Sequence, residues 1–60
     1  MFKIIRVHGS GKEEMLKKNY VSLNMARMAL RKKVEWNPSF TGHVVEMVIT
    51  ESNGFQAKKV

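Results

Sequence analysis

The sequence contains no cysteine and, among its five acidic residues, no aspartate. Without cysteine there is no disulfide framework and no thiolate metal site. It has a single proline, Pro38, and four glycines, so interruptions of regular structure are few and easily placed. Aromatic residues make up only 8% of the chain. No apolar run exceeds three residues, far short of the ~20 that a membrane-spanning helix requires. Charge interrupts the apolar residues of Met1-Phe2-Lys3-Ile4-Ile5-Arg6-Val7-His8, which therefore do not read as a signal peptide. An intracellular, cytoplasmic protein is the expectation.

What the chain has in excess is positive charge. Eleven Lys and Arg against five Glu leave +6 on 60 residues. A chain of this length forms one small domain, residues 1–60, and buries only about 60% of its unfolded surface. Small scaffolds lean on a disulfide, a metal or a partner chain. With cysteine absent, a partner is expected: a target or a second copy, the latter making a homodimer.

The local patterns give an order of elements. Phe2–His8 alternates, with Phe2, Ile4 and Arg6 on one face and Lys3, Ile5 and Val7 on the other, as a strand does. Gly9-Ser10-Gly11-Lys12 is a turn. Glu13–Val21 is read as a second strand hairpinned to the first. Glu13-Glu14-Met15-Leu16-Lys17-Lys18 taken alone favours helix, and that alternative stays open. Ser22 or Asn24 caps a helix through Trp36, with Leu23, Ala26, Ala29, Leu30 and Val34 on one apolar stripe. Met25 and Trp36 extend the edge of this stripe. Lys33 falls within it and snorkels at the helix end. Asn37-Pro38 stops the helix, because proline disfavours helical geometry in the residue before it.

His43–Glu51 is the strongest strand signal. Val45, Met47 and Ile49 form one face, Val44 and Val48 the other. Apolar residues on both faces suggest an interior strand or an oligomer contact, with Val44 and Val48 as that contact. Asn53-Gly54 suits a type I′ hairpin turn, and Phe55–Val60 forms a final edge strand carrying Lys58 and Lys59. The expected fold is α+β: an antiparallel β-β-α-β-β sheet in the order 2-1-3-4, with the helix packed on one face.

Few residues suggest chemistry. Gly9-Ser10-Gly11-Lys12 fails as a phosphate-binding loop, because Arg6 stands where the first glycine belongs and Glu13 follows Lys12. His8 and His43 are not at metal-ligand spacing, and no metal or cofactor is expected. The serines sit at turns or caps, Glu13-Glu14 reads as a solvated pair, and no nucleophile–base set assembles. The chain is expected not to be an enzyme.

The informative groups are basic. Arg27 and Arg31 are four apart and share one helix face, with Met28 and Lys32 beside them. Lys17 and Phe40 are further candidates, Phe40 either as an exposed loop anchor or as a cap on the core. Trp36, Phe40 and Tyr20 are the aromatics that could stack on bases, although Trp36 is expected to close the core. Two partner classes fit these residues. One is an acidic protein surface, for which an adaptable methionine among arginines is suited. The other is nucleic acid, bound through its phosphates with little sequence preference and strong salt dependence.

Tyr20-Val21-Ser22 leading into Asn24 and the Ala26/Ala29 helix, then Pro38 and a valine-rich strand, resembles the small phage-encoded host-takeover proteins. These include the small phage inhibitor of bacterial RNA polymerase. The likeness spans residues 2–50 as a strand-strand-helix-strand pattern and carries over no functional residue. It implies an inhibitor or modulator that binds a host macromolecule in the host cytoplasm.

Overall fold

The computed structural model describes residues 1–52 and 54–60. Four strands and one helix follow one another as β1 (Phe2–Val7), β2 (Glu13–Met15), α1 (Leu23–Trp36), β3 (Gly42–Thr50) and β4 (Gly54–Lys59). The strands form one antiparallel sheet in the order β2-β1-β3-β4, with α1 against β1 and β3. This is the expected α+β architecture and the expected strand order.

Alternation in β1 and β3 sets which residues meet the helix. Register places Ile4 opposite Val44, and strand partners share a face. Both side chains join Tyr20 and Ala26 in the core, with Phe2, Leu16, Leu23, Ala29, Leu30 and Phe40 packed around them. Ile4 and Ala26 are fully buried. Ala26 lets the helix approach the sheet closely, since a longer side chain there would hold the two layers apart.

The helix begins where the sequence places it. Ser22 is its N-cap, and the Oγ accepts a hydrogen bond from the Met25 N–H at 3.1 Å. At the other end Asn37 is extended (φ −141, ψ 93), and its N–H donates to the Lys33 carbonyl at 3.0 Å. Pro38 requires that extended geometry of its predecessor. Half-buried Lys33 lies in the last turn, where a cation complements the helix dipole.

The second strand is shorter than expected. β2 ends at Met15, yet the Leu16 N–H still reaches the Ile4 carbonyl, and Tyr20 and Phe2 exchange both backbone hydrogen bonds. Between these two pairings β1 has one residue, Lys3, and the returning chain has three, Lys17-Lys18-Asn19, which leave the ladder as a bulge. None of those three has an apolar side chain to bury. Leu16 and Tyr20 do, and they hold both ends of the bulge against the core. The β1–β2 connection contains Gly11 at φ 88, a conformation open to glycine at little cost.

Two further expectations change. Trp36 does not close the core and is 88% exposed. It is the last helical residue and lies about a quarter turn or more from the Ala26–Leu30 line at 100° per residue, so it points past the sheet. Val44 is in the core and so is not available as the expected dimer contact, while Val48 is half-buried. Val44 is buried beneath the helix, Val48 shares its face, and the uncovered face is that of Val45, Met47 and Ile49. The Asn53-Gly54 turn rests on Asn53, which lies outside the described residues. Gly54 has φ 70, and Phe55 pairs with Ile49.

Candidate functional site: the outer face of the helix

Arg27, Met28, Arg31 and Lys32 all stand exposed on the outer face of α1, because their angular positions are away from buried Ala26 and half-buried Leu30. Met28 is 57% exposed and sits between the arginine side and Lys32. Among the described residues the one contact between a basic and an acidic side chain joins His8 Nε2 to Glu14 Oε1 at 2.8 Å. The helix cations therefore have no acidic partner among the described residues. The nearest acid on that face by spacing is Glu35, four residues from Arg31.

One flank of this face is a groove rather than a flat surface. Lys18, Asn19, Tyr20 and Val21 run alongside Met25, Met28, Ala29 and Lys32, enclosing about 370 Å³. Val21, Met25 and Met28 form an exposed apolar floor, and Lys18 and Lys32 form the rim. The Lys18 ammonium lies 5.6 Å from the centroid of the Tyr20 ring, within cation–π range. At helical spacing Met25, Ala29, Lys32 and Trp36 share one flank, so exposed Trp36 continues the groove toward the helix end.

Two of the sequence candidates lie elsewhere. Lys17 is exposed but does not line the groove; its carbonyl accepts a hydrogen bond from Lys3 Nζ at 3.1 Å. Phe40 is half-buried against the core, with the Arg6 guanidinium 5.0 Å from its ring centroid. It caps the core and is not an exposed anchor. Asn37 holds this loop, accepting from the Ser39 N–H and Oγ and, through its carbonyl, from the Phe40 N–H. Tyr20 is likewise in the core, leaving Trp36 as the exposed aromatic of the three.

Lys18, Val21 and Met25 are groove residues that sequence reasoning does not include among its binding candidates, although Lys17-Lys18 is one of the chain's basic clusters and Met25 edges the apolar stripe. The signal was present only in part. Met25 and Val21 are apolar residues outside the buried arc, but the groove forms only when the 18–21 segment is folded beside the helix.

A second concavity, lined by His8, Ser10, Lys12, Glu13 and Glu14, surrounds the β1–β2 turn. Its His8–Glu14 contact ties the two hairpin arms together, so Glu14 is not simply a solvated acid beside Lys12. Both partners are substantially solvent-exposed, and a contact in that setting contributes little to stability. Among the described residues no cluster of three or more His, Asp or Glu is placed to hold a metal, and no helix is long and apolar enough to cross a membrane. No protein-family model, curated protein or solved structure matches the chain.

Proposed function

We propose that this protein is a non-enzymatic binding module that docks an acidic, amphipathic protein segment along the outer face of α1. In that role it acts as the kind of inhibitor or modulator that the phage-protein resemblance implies. The supporting observation is the apolar groove of Val21, Met25 and Met28 flanked by Lys18 and Lys32, with Arg27 and Arg31 on the adjoining surface and in no ion pair among the described residues. An amphipathic helix laid in such a groove would bury its apolar face on the methionines and place its carboxylates against the rim. A phosphate backbone would use the cations but leave the apolar floor without a partner.

The distinguishing experiment is a pair of anisotropy titrations. One probe is a fluorescent amphipathic helix with a Leu face and a Glu face; the other is a fluorescent single-stranded DNA of similar length. The peptide is expected to bind more tightly. Lys18→Glu/Lys32→Glu should weaken it by about tenfold, since each rim ion pair contributes roughly 0.2–1 kcal/mol and reversal adds repulsion. Met28→Ala should weaken the peptide and leave DNA unchanged. Tighter binding to DNA would support the nucleic-acid reading instead, if affinity falls steeply between about 50 and 200 mM salt and is lost in Arg27→Ala/Arg31→Ala.

A further inference from the structure

The helix covers one face of the sheet and leaves the other open. The molecule measures 38 × 27 × 17 Å, and the short axis accommodates one sheet and one helix layer. Register orders the open face into rows. Ile49 pairs with Phe55, and Met47 with Ala57. Next come Lys3, Val45 and Lys59 across three strands, then Met15, Ile5 and His43, and finally Glu13 with Val7. The end of the face that carries Ile49, Phe55, Met47 and Ala57 has no charged side chain in its paired rows. Met1 adjoins it, its carbonyl accepting from the Met47 N–H at 2.8 Å.

This end combines a projection and a hollow. Ile49 and Phe55 are 76% and 69% exposed. Beside them Met1, Lys3, Asn19, Met47 and Phe55 line a concavity of about 340 Å³. A projection next to a hollow on one surface is what an isologous two-fold contact requires, since each copy offers both halves.

We propose that a second copy of the chain covers this face, forming a two-fold dimer centred on Met47, Ile49 and Phe55. The area is of the right order. At about 200 Å² for a large side chain, the exposed parts of Met1 (61%), Ile49 and Phe55 make about 400 Å². Each partner of a standard interface buries ~800 Å², and Met47, Ala57 and the Lys59 stem border the same patch. Charge sets the position of the axis. Two copies at +6 repel, so the lysine row cannot lie at the centre. An axis over the Ile49–Phe55 end keeps the Lys3 and Lys59 rows of one copy apart from those of the other. Lys3 lines the hollow, and its Nζ donates to the Lys17 carbonyl. Val45, only 2% exposed on this helix-free face, lies between Lys3 and Lys59 in the paired row.

The proposed dimer and the proposed peptide groove occupy different layers of the molecule, and salt separates them. Peptide binding weakens as salt rises. Dimerisation strengthens, because screening at a Debye length of roughly 3–10 Å removes repulsion between like-charged copies. Sedimentation equilibrium from micromolar to millimolar protein is the test. The wild type should show a monomer–dimer equilibrium starting from 6.9 kDa, with a dimer dissociation constant several-fold lower at about 500 mM than at about 50 mM salt. Phe55→Lys and, separately, Ile49→Lys should give monomers with unaltered far-UV circular dichroism, because both side chains are exposed in the single chain. Lys18→Glu/Lys32→Glu should not disrupt the dimer. A wild type that stays monomeric throughout, a dimer that survives both lysine variants, or assembly beyond two copies would overturn the proposal.

Discussion

Gly42→Ala is the substitution whose consequence follows most directly from the fold. Gly42 opens β3 and pairs with Arg6 of β1. A Cβ at this position would lie 2.6 Å from the Ile5 carbonyl oxygen, 3.1 Å from Phe40 Cε1 and 3.5 Å from Arg6 Cα. The first of these neighbours is backbone within the central strand pair and cannot rotate away. The added methyl must separate β1 from β3, or push Phe40 off the core and out from beneath Arg6. Overpacking of this kind costs about 1–3 kcal/mol. A domain of this length has roughly 3–9 kcal/mol in total, so the loss is a large share. With each kcal/mol worth about 4–8 °C in a domain this small, a fall in Tm of the order of 10 °C is expected from thermal circular dichroism, with a matching drop in urea midpoint. Gly9→Ala is the control, because nothing lies within 4 Å of a Cβ there. It should be neutral or stabilise by up to ~1 kcal/mol. If Gly42→Ala melts within about 0.5 kcal/mol of wild type, the close β1–β3 approach described here is wrong.

Other variants probe the remaining elements. Ile4→Ala opens a cavity at the centre of the core, should cost about 2–5 kcal/mol, and should leave little folded protein at 37 °C by circular dichroism. Ser22→Ala removes the acceptor for the Met25 N–H and should cost about 1 kcal/mol, read as a lower urea midpoint with an unchanged m-value. Trp36→Ala should alter stability by less than about 0.5 kcal/mol, and in the wild type the indole should be open to acrylamide quenching. A blue-shifted, protected Trp36 emission in the dilute monomer would mean that it is buried after all.

Much of the fold was legible in the chain, and what was not has identifiable physical reasons. Alternation in Phe2–Val7 and Gly42–Thr50, the Ser22 cap and the Asn37-Pro38 stop each act over a few residues, so sequence spacing exposes them directly. The strand order followed from the turn between the first two strands and from the return of the helix. Spacing alone did not show which face of β3 the helix covers, because valines occupy both. Nor did it place Trp36, since periodicity gives an angle around the helix but not how far the sheet extends beneath its end. Glu13–Val21 kept only its two ends in the ladder, and a strand pattern read residue by residue does not reveal the two-residue slip between them. Of the candidate site, Arg27, Met28, Arg31 and Lys32 were found because they share one helix. Lys18, Val21 and Met25 were missed because their proximity depends on the folded 18–21 segment, while Phe40 was drawn into the core by Gly42 and Arg6.

The most direct test of the account is where an acidic amphipathic helix lands on the molecule. Amide chemical shifts of ¹⁵N-labelled protein, followed during titration with the Leu/Glu model helix, report that position without relying on any variant. Saturable shifts are expected at Lys18, Val21, Met25, Met28 and Lys32, with Met47, Ile49 and Phe55 unmoved at protein concentrations where the chain is monomeric. Shifts confined to the sheet face, or no saturable shift on the helix, would contradict it.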